Sequence, residues 1–154
     1  MAPTNSRLQP SGKVFVACGV WLIALGIYFL FLRPALLPED AHYIGRSLDT
    51  IRSAVPDLER WLGHVFNVMG GFMVSTGTIT ILVACRLLAR REPGTLTAML
   101  VAGADSVALM SATNFFLSSD FRWLLLMPAL LWLFGLLCYA RESTVSPTNE
   151  KAVG

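Results

Sequence analysis

The chain has 154 residues, 55% hydrophobic and only 14% charged, with a formal net charge of +2 and a mean hydropathy of +0.60. Soluble domains carry about 25% charged residues, and the charges here fall in narrow bands between apolar runs too long for a core this small to cover. No concentrated basic face offers itself to nucleic acid, and Cys18, Cys85 and Cys138, with no CxxC among them, argue against a disulfide framework, a zinc site or a thiol–disulfide oxidoreductase.

A polar segment, residues 1–13, precedes the first run, residues 14–32 (VFVACGVWLIALGIYFLFL), which holds no charge. About 20 apolar residues at helical rise cover a bilayer core. A secretory signal peptide is the rival reading, since Arg7 and Lys13 precede the run. The run is longer than a signal peptide's, however, and FLRPALLPED offers no small-x-small cleavage site, so an uncleaved span is expected.

The loop 33–61 comes next. RPALLPED reads as extended and proline-punctuated. Ser47 then suits the N-cap of a short helix with Leu48, Ile51 and Val55 on its apolar side. Pro56, Asp57 and Glu59 form a helix start that runs on through Trp61 into the second span.

That second span, 62–85, is closed by Arg86 and carries Asn67, Ser75, Thr76, Thr78 and Thr80. Pro93-Gly94 turns the chain into the third span, 96–117, which holds Asp105 near its middle and Asn114 near its end. A link of only 118–122 leads to the fourth, 123–140, interrupted by Pro128, whose missing donor buried neighbours can offset inside a membrane. Residues 141–154 read as a disordered tail. Continuous runs without alternation exclude a β-barrel. The expected fold is an all-α membrane protein, an antiparallel bundle of four transmembrane helices with a short helical outer loop between spans one and two.

Orientation follows from the basic residues. With the N-terminus inside, Arg7, Lys13, Arg86, Arg90, Arg91, Arg141 and Lys151 are cytoplasmic, and the outer loops hold Arg33, Arg46, Arg52, Arg60 and Arg122, spread over a longer stretch with five acids in the first loop. Both termini are therefore expected in the cytoplasm. All three cysteines then lie toward that reducing face, where they read as small packing residues and not as metal ligands, since no histidine shares their level.

Asp105 is the sharpest chemical signal. A carboxylate at the bilayer centre costs about 2.5–3.5 kcal/mol and normally faces the bundle interior with a partner. Thr76, Ser75 and Thr78 are level with it, so a protonated Asp105 would clamp span three to span two by hydrogen bonds. Alternatively it would titrate in transport. Asn67 and Asn114 share a level and could bond to each other. Small residues surround them: Gly63, Gly71 and Ser75 in one stripe with Asn67, Gly70 and Gly77 beside it, and Ala98, Ala102, Gly103, Ser106 and Ser111 on span three. Spans two and three are therefore expected to form the packed core, and spans one and four to face lipid.

FLRPALLPED, with RWLGHVFNVMGGFMVSTG, resembles a family of small four-span bacterial integral membrane proteins of uncharacterised function. The resemblance implies the four-span fold and a bacterial inner-membrane location, and it supplies no catalytic residue. Quinone-reducing thiol enzymes would need a CxxC, and small multidrug exporters a glutamate in span one; neither is present. The leading expectation is thus a membrane protein without catalytic site, cofactor or metal, working as an accessory or structural subunit or a small homo-oligomer whose partners are the bilayer and a membrane protein. The alternative is a proton- or cation-coupled carrier using Asp105, with Thr76, Ser75, Asn67 and Asn114 along the path. The weakest reading is an enzyme using His64 or His42 with Asp57 or Glu59.

Overall fold

The computed structural model describes residues 8–144; the parts of the two expected tails at 1–7 and 145–154 lie outside them. Every regular element among these residues is helical. The order is α1 (Pro10–Phe31), α2 (Pro38–Ile44), α3 (Leu48–Ala54), α4 (Leu58–Arg86), α5 (Thr95–Phe116) and α6 (Arg122–Thr144). Helices α1, α4, α5 and α6 are long and apolar enough to cross a membrane.

The polar residues at the chain ends build structure where tails were expected. Helix α1 opens at Pro10, ahead of the charge-free run, because its first turn finds an acceptor. The Ser11 amide and hydroxyl both donate to the Glu142 carboxylate, at 2.9 and 2.6 Å. That satisfies one of the orphan donors of a helix start and sets a negative charge at its positive dipole end. Arg91, from the α4–α5 connection, reaches the same carboxylate at 3.4 Å. It also donates to the Tyr139 carbonyl at 2.9 Å and lies 4.5 Å above that ring's centre. One carboxylate thus clasps α1, the connection and α6 at what we call the terminal end of the molecule.

The packing order corrects the expected one. Helix α1, expected to face lipid, lies at the centre, against both α4 and α6, whereas α4 and α5 barely touch. The cause is a pair of matching glycine faces. On α1 glycines recur every seven residues, at Gly12, Gly19 and Gly26; on α4 small residues do the same at Gly70, Gly77 and Ala84. A Cβ built on Gly26 would lie 2.7 Å from the Gly70 carbonyl oxygen, and one on Gly19 2.7 Å from that of Gly77. Gly12 faces Ala84 at 3.4 Å, so each step of seven up α1 is a step of seven down α4. Small residues let two backbones approach this closely, and heptad spacing keeps them opposed along a left-handed winding.

Helix α6 closes the other side of α1. Phe15 packs edge-on to Trp132, with ring centres 5.4 Å apart, and its ring lies over Gly135. The Trp132 indole N–H donates to the Met99 carbonyl of α5 at 2.9 Å, and the bare Gly103 leaves room for the ring. Pro128 is buried within α6 and interrupts its hydrogen bonding. Neighbouring helices supply donors around it: Cys18 to the Pro128 carbonyl at 3.4 Å and Ser111 to the Leu125 carbonyl at 2.7 Å.

At the opposite, loop end, Ser47 caps α3 by accepting from the Thr50 amide, and Ile51 packs with Leu36 and Ala41. RPALLPED is not extended throughout. Pro38 begins α2, where its fixed φ and missing N–H suit a first helical position, and the Asp40 carboxylate accepts the Leu37 amide at 2.8 Å. Glu39 then straps α2 to the α5–α6 turn, accepting from the Ser119 hydroxyl at 3.2 Å and the Asp120 amide at 3.0 Å.

Candidate functional site

Helix α4 presents three faces. Its glycine face is consumed by α1. A second face, with Met69, Met73, Thr76 and Thr80, looks toward α5 across an open seam. The third, with Asn67, Gly71, Ser75 and Thr78, is exposed, and nothing lies within 4 Å of a Cβ built at Gly63 or Gly71. The stripe expected to pack on span three therefore faces outward. Gly70 and Gly77, set beside that stripe in the sequence reading, meet α1 instead.

Toward the terminal end the seam opens into a cleft of about 730 Å³. Thr76, Thr80, Ala102, Asp105, Ser106 and Trp132 line it, with Glu92 at the connection. Asp105 is exposed and makes no hydrogen bond or ion pair among the described residues; the expected clamp to Thr76, Ser75 and Thr78 is not formed. Only Thr76 of those three shares its cleft. Thr78 instead donates to its own Val74 carbonyl at 2.8 Å, the usual way for a helical hydroxyl to satisfy itself. The separation follows from α1 and α6, which hold α4 and α5 apart.

Asp105 also sits on a π-helical turn, Ala104–Ala108. Side chains bond backbone carbonyls just ahead of it: Ser106 takes that of Ala102 and Trp132 that of Met99. Such competition for carbonyls accompanies departures from regular α geometry, and Asp105, within this turn, lines the cleft while remaining exposed.

Toward the loop end the seam widens into a chamber of about 320 Å³. Its walls are Leu25, Tyr28 and Phe29 of α1, Met69 and Met73 of α4, Met110 of α5 and Leu124 and Leu125 of α6. Arg33, Leu37, Glu39, Asn114 and Ser119 form its roof, and an adjoining cavity of about 340 Å³ shares the four polar ones. Arg33 is fixed there by several contacts. Its guanidinium lies 3.6 Å over the Phe66 ring centre and 5.3 Å from that of Phe29, 3.7 Å from the Asp40 carboxylate, and it donates to the Pro34 carbonyl at 2.9 Å. Asn114 donates to its own Met110 carbonyl at 2.9 Å. It is not paired with Asn67, which lies on another face of α4.

His42 and His64 are both exposed. The acids expected beside them are paired elsewhere, Glu59 with Arg52 at 3.0 Å and Asp57 with Arg60 at 3.3 Å, and among the described residues neither is paired with a histidine.

Sequence reasoning did not single out Arg33, Glu39 or Trp132. Arg33 and Glu39 lie in FLRPALLPED, where a charge beside each proline marks a built turn more than a linker. Trp132 carried no signal of its own. Compared with protein-family models, with curated proteins and with solved structures, the chain matches none.

Proposed function

We propose that the chain is a structural protein of a bacterial inner membrane, without catalytic activity, that crosses the bilayer four times as an antiparallel bundle with both termini cytoplasmic and pairs with a second copy of itself through the outward face of α4. The basic residues grouped at the terminal end, among them Lys13, Arg86, Arg90 and Arg91, support that orientation. The exposed stripe of α4 carries the proposal of pairing. In lipid, Asn67 and Ser75 on an outward face would lack partners, while Gly63 and Gly71 leave room for another backbone. A two-fold axis brings the same stripe of both copies together, so that Asn67 meets its own counterpart and the glycines admit close approach.

The double variant Asn67→Leu, Gly71→Leu should weaken self-association at least tenfold, about 1.4 kcal/mol. Energy transfer between labelled copies, followed as detergent dilutes them, measures this. A wild-type chain that stays monomeric at every dilution would dismiss the pairing.

The cleft at Asp105 favours a second reading, a proton- or cation-coupled carrier. Of the expected path, Thr76 lines that cleft, whereas Asn67 and Ser75 lie on the outward face and Asn114 lies in the chamber roof. On this reading Asp105→Asn abolishes proton or cation flux into proteoliposomes while the helical content of the chain is kept. Unchanged flux, or none in the wild type, removes it.

A further inference from the structure

The loop-end chamber is unused by either reading of the seam, and its chemistry is selective. Its walls combine aromatic rings with three methionines, Met69, Met73 and Met110. Methionine sulfur is polarisable and adapts its shape to flat rings. Such walls suit a conjugated ring better than a saturated chain alone.

The polar groups of the lining set the polarity of the guest. Among the described residues the Tyr28 hydroxyl has no hydrogen-bond partner, and Asn114 uses one of its two amide N–H groups on the Met110 carbonyl. The Glu39 carboxylate, by contrast, already accepts from Ser119 and Asp120. The Tyr28 hydroxyl and the second Asn114 N–H can therefore donate to acceptor atoms on a ligand, and the Asn114 carbonyl oxygen is left able to accept. A negatively charged head is disfavoured, because Arg33, the roof's cation, is paired with Asp40 and stacked on Phe66 while Glu39 adds its own negative charge.

Size completes the description. A chamber of about 320 Å³ lies at the small end of ligand sites. It admits a single substituted ring, and any chain attached to that ring must leave through the seam between α4 and α5, which opens sideways. We infer that this chamber binds the head of a membrane-soluble quinone: a neutral flat ring with carbonyl acceptors facing Tyr28 and Asn114, and an apolar tail running out between α4 and α5. The inference requires the chain to lie in a membrane but does not depend on pairing through α4, whose failure would leave it intact.

The test is calorimetric titration of the full chain in lipid nanodiscs with a decyl-substituted benzoquinone. Saturable binding is expected. Met110→Trp, which fills the chamber, should weaken it at least tenfold; Tyr28→Phe and Asn114→Leu should each weaken it several-fold with helical content unchanged by circular dichroism. Should Met110→Trp fail to fold, the Tyr28 and Asn114 variants decide. Absence of saturable binding, indifference to the Tyr28 and Asn114 variants, or equal displacement by dodecyl phosphate overturns the inference, the last by assigning the chamber to anionic heads.

Discussion

Gly77→Leu should destabilise the folded chain by about 3 kcal/mol or more, since overpacking against backbone leaves little room for relief. A Cβ at that position would lie 2.5 Å from the Gly19 carbonyl oxygen and 3.0 Å from the Ile23 amide nitrogen. Backbone cannot rotate away as a side chain can, so α1 must move off α4, and with it the central contacts of the molecule. Gly71→Leu, six residues earlier on the outward face, is the control. Nothing lies within 4 Å of its Cβ, and its effect on the monomer should stay within about 0.5 kcal/mol. Titration with sodium dodecyl sulfate, followed by the helical dichroism signal under monomeric conditions, measures both. Equal losses from the two variants would refute the register of α1 on α4.

Trp132→Ala should cost about 3–5 kcal/mol, in the range for emptying a large aromatic site. The side chain is only 2% exposed and joins three helices at once: its ring meets Phe15 of α1, its own helix is α6, and its N–H holds the Met99 carbonyl of α5. Trp132→Phe separates these roles. It keeps most of the apolar contact but leaves the Met99 carbonyl without that donor, a loss of about 1–3 kcal/mol for a buried group. The same detergent titration reads both variants. A Trp132→Phe chain as unstable as Trp132→Ala would assign the whole effect to the hydrogen bond.

The four long helices were legible because each is written locally, in a run of apolar residues between charges. Which helices touch was not. Helix α4 carries two small-residue patterns, one at steps of four through Gly63, Asn67, Gly71 and Ser75, the other at steps of seven through Gly63, Gly70, Gly77 and Ala84. Read on one helix, the first resembles the better-known motif for close approach. Only comparison with α1, where Gly12, Gly19 and Gly26 repeat the step of seven, identifies the second as the contact face.

Asp105 was misplaced for the same reason: matching depth was taken for proximity, whereas α1 and α6 stand behind the seam and keep span three from span two. The loop-end chamber was invisible for a different cause. Its roof joins Arg33 and Glu39 to Asn114 and Ser119, about eighty residues later, and separations of that kind leave no local trace. Glu142 belongs with these: as a charge near the chain's end it looked like tail, and only the fold brings it to Ser11 and Arg91.

Equal spacing on both partners makes the α1–α4 contact a vernier. Sliding one helix by about 10.5 Å, seven residues at helical rise, would oppose Gly12 to Gly77, Gly19 to Gly70 and Gly26 to Gly63, a fit as smooth as the one observed. The glycines therefore select a track and leave the stopping point open. That choice falls to groups at the two ends of the slide, Glu142 gripping the Ser11 turn and Arg33 lodged on Phe66, which act as detents on an otherwise repeating rail.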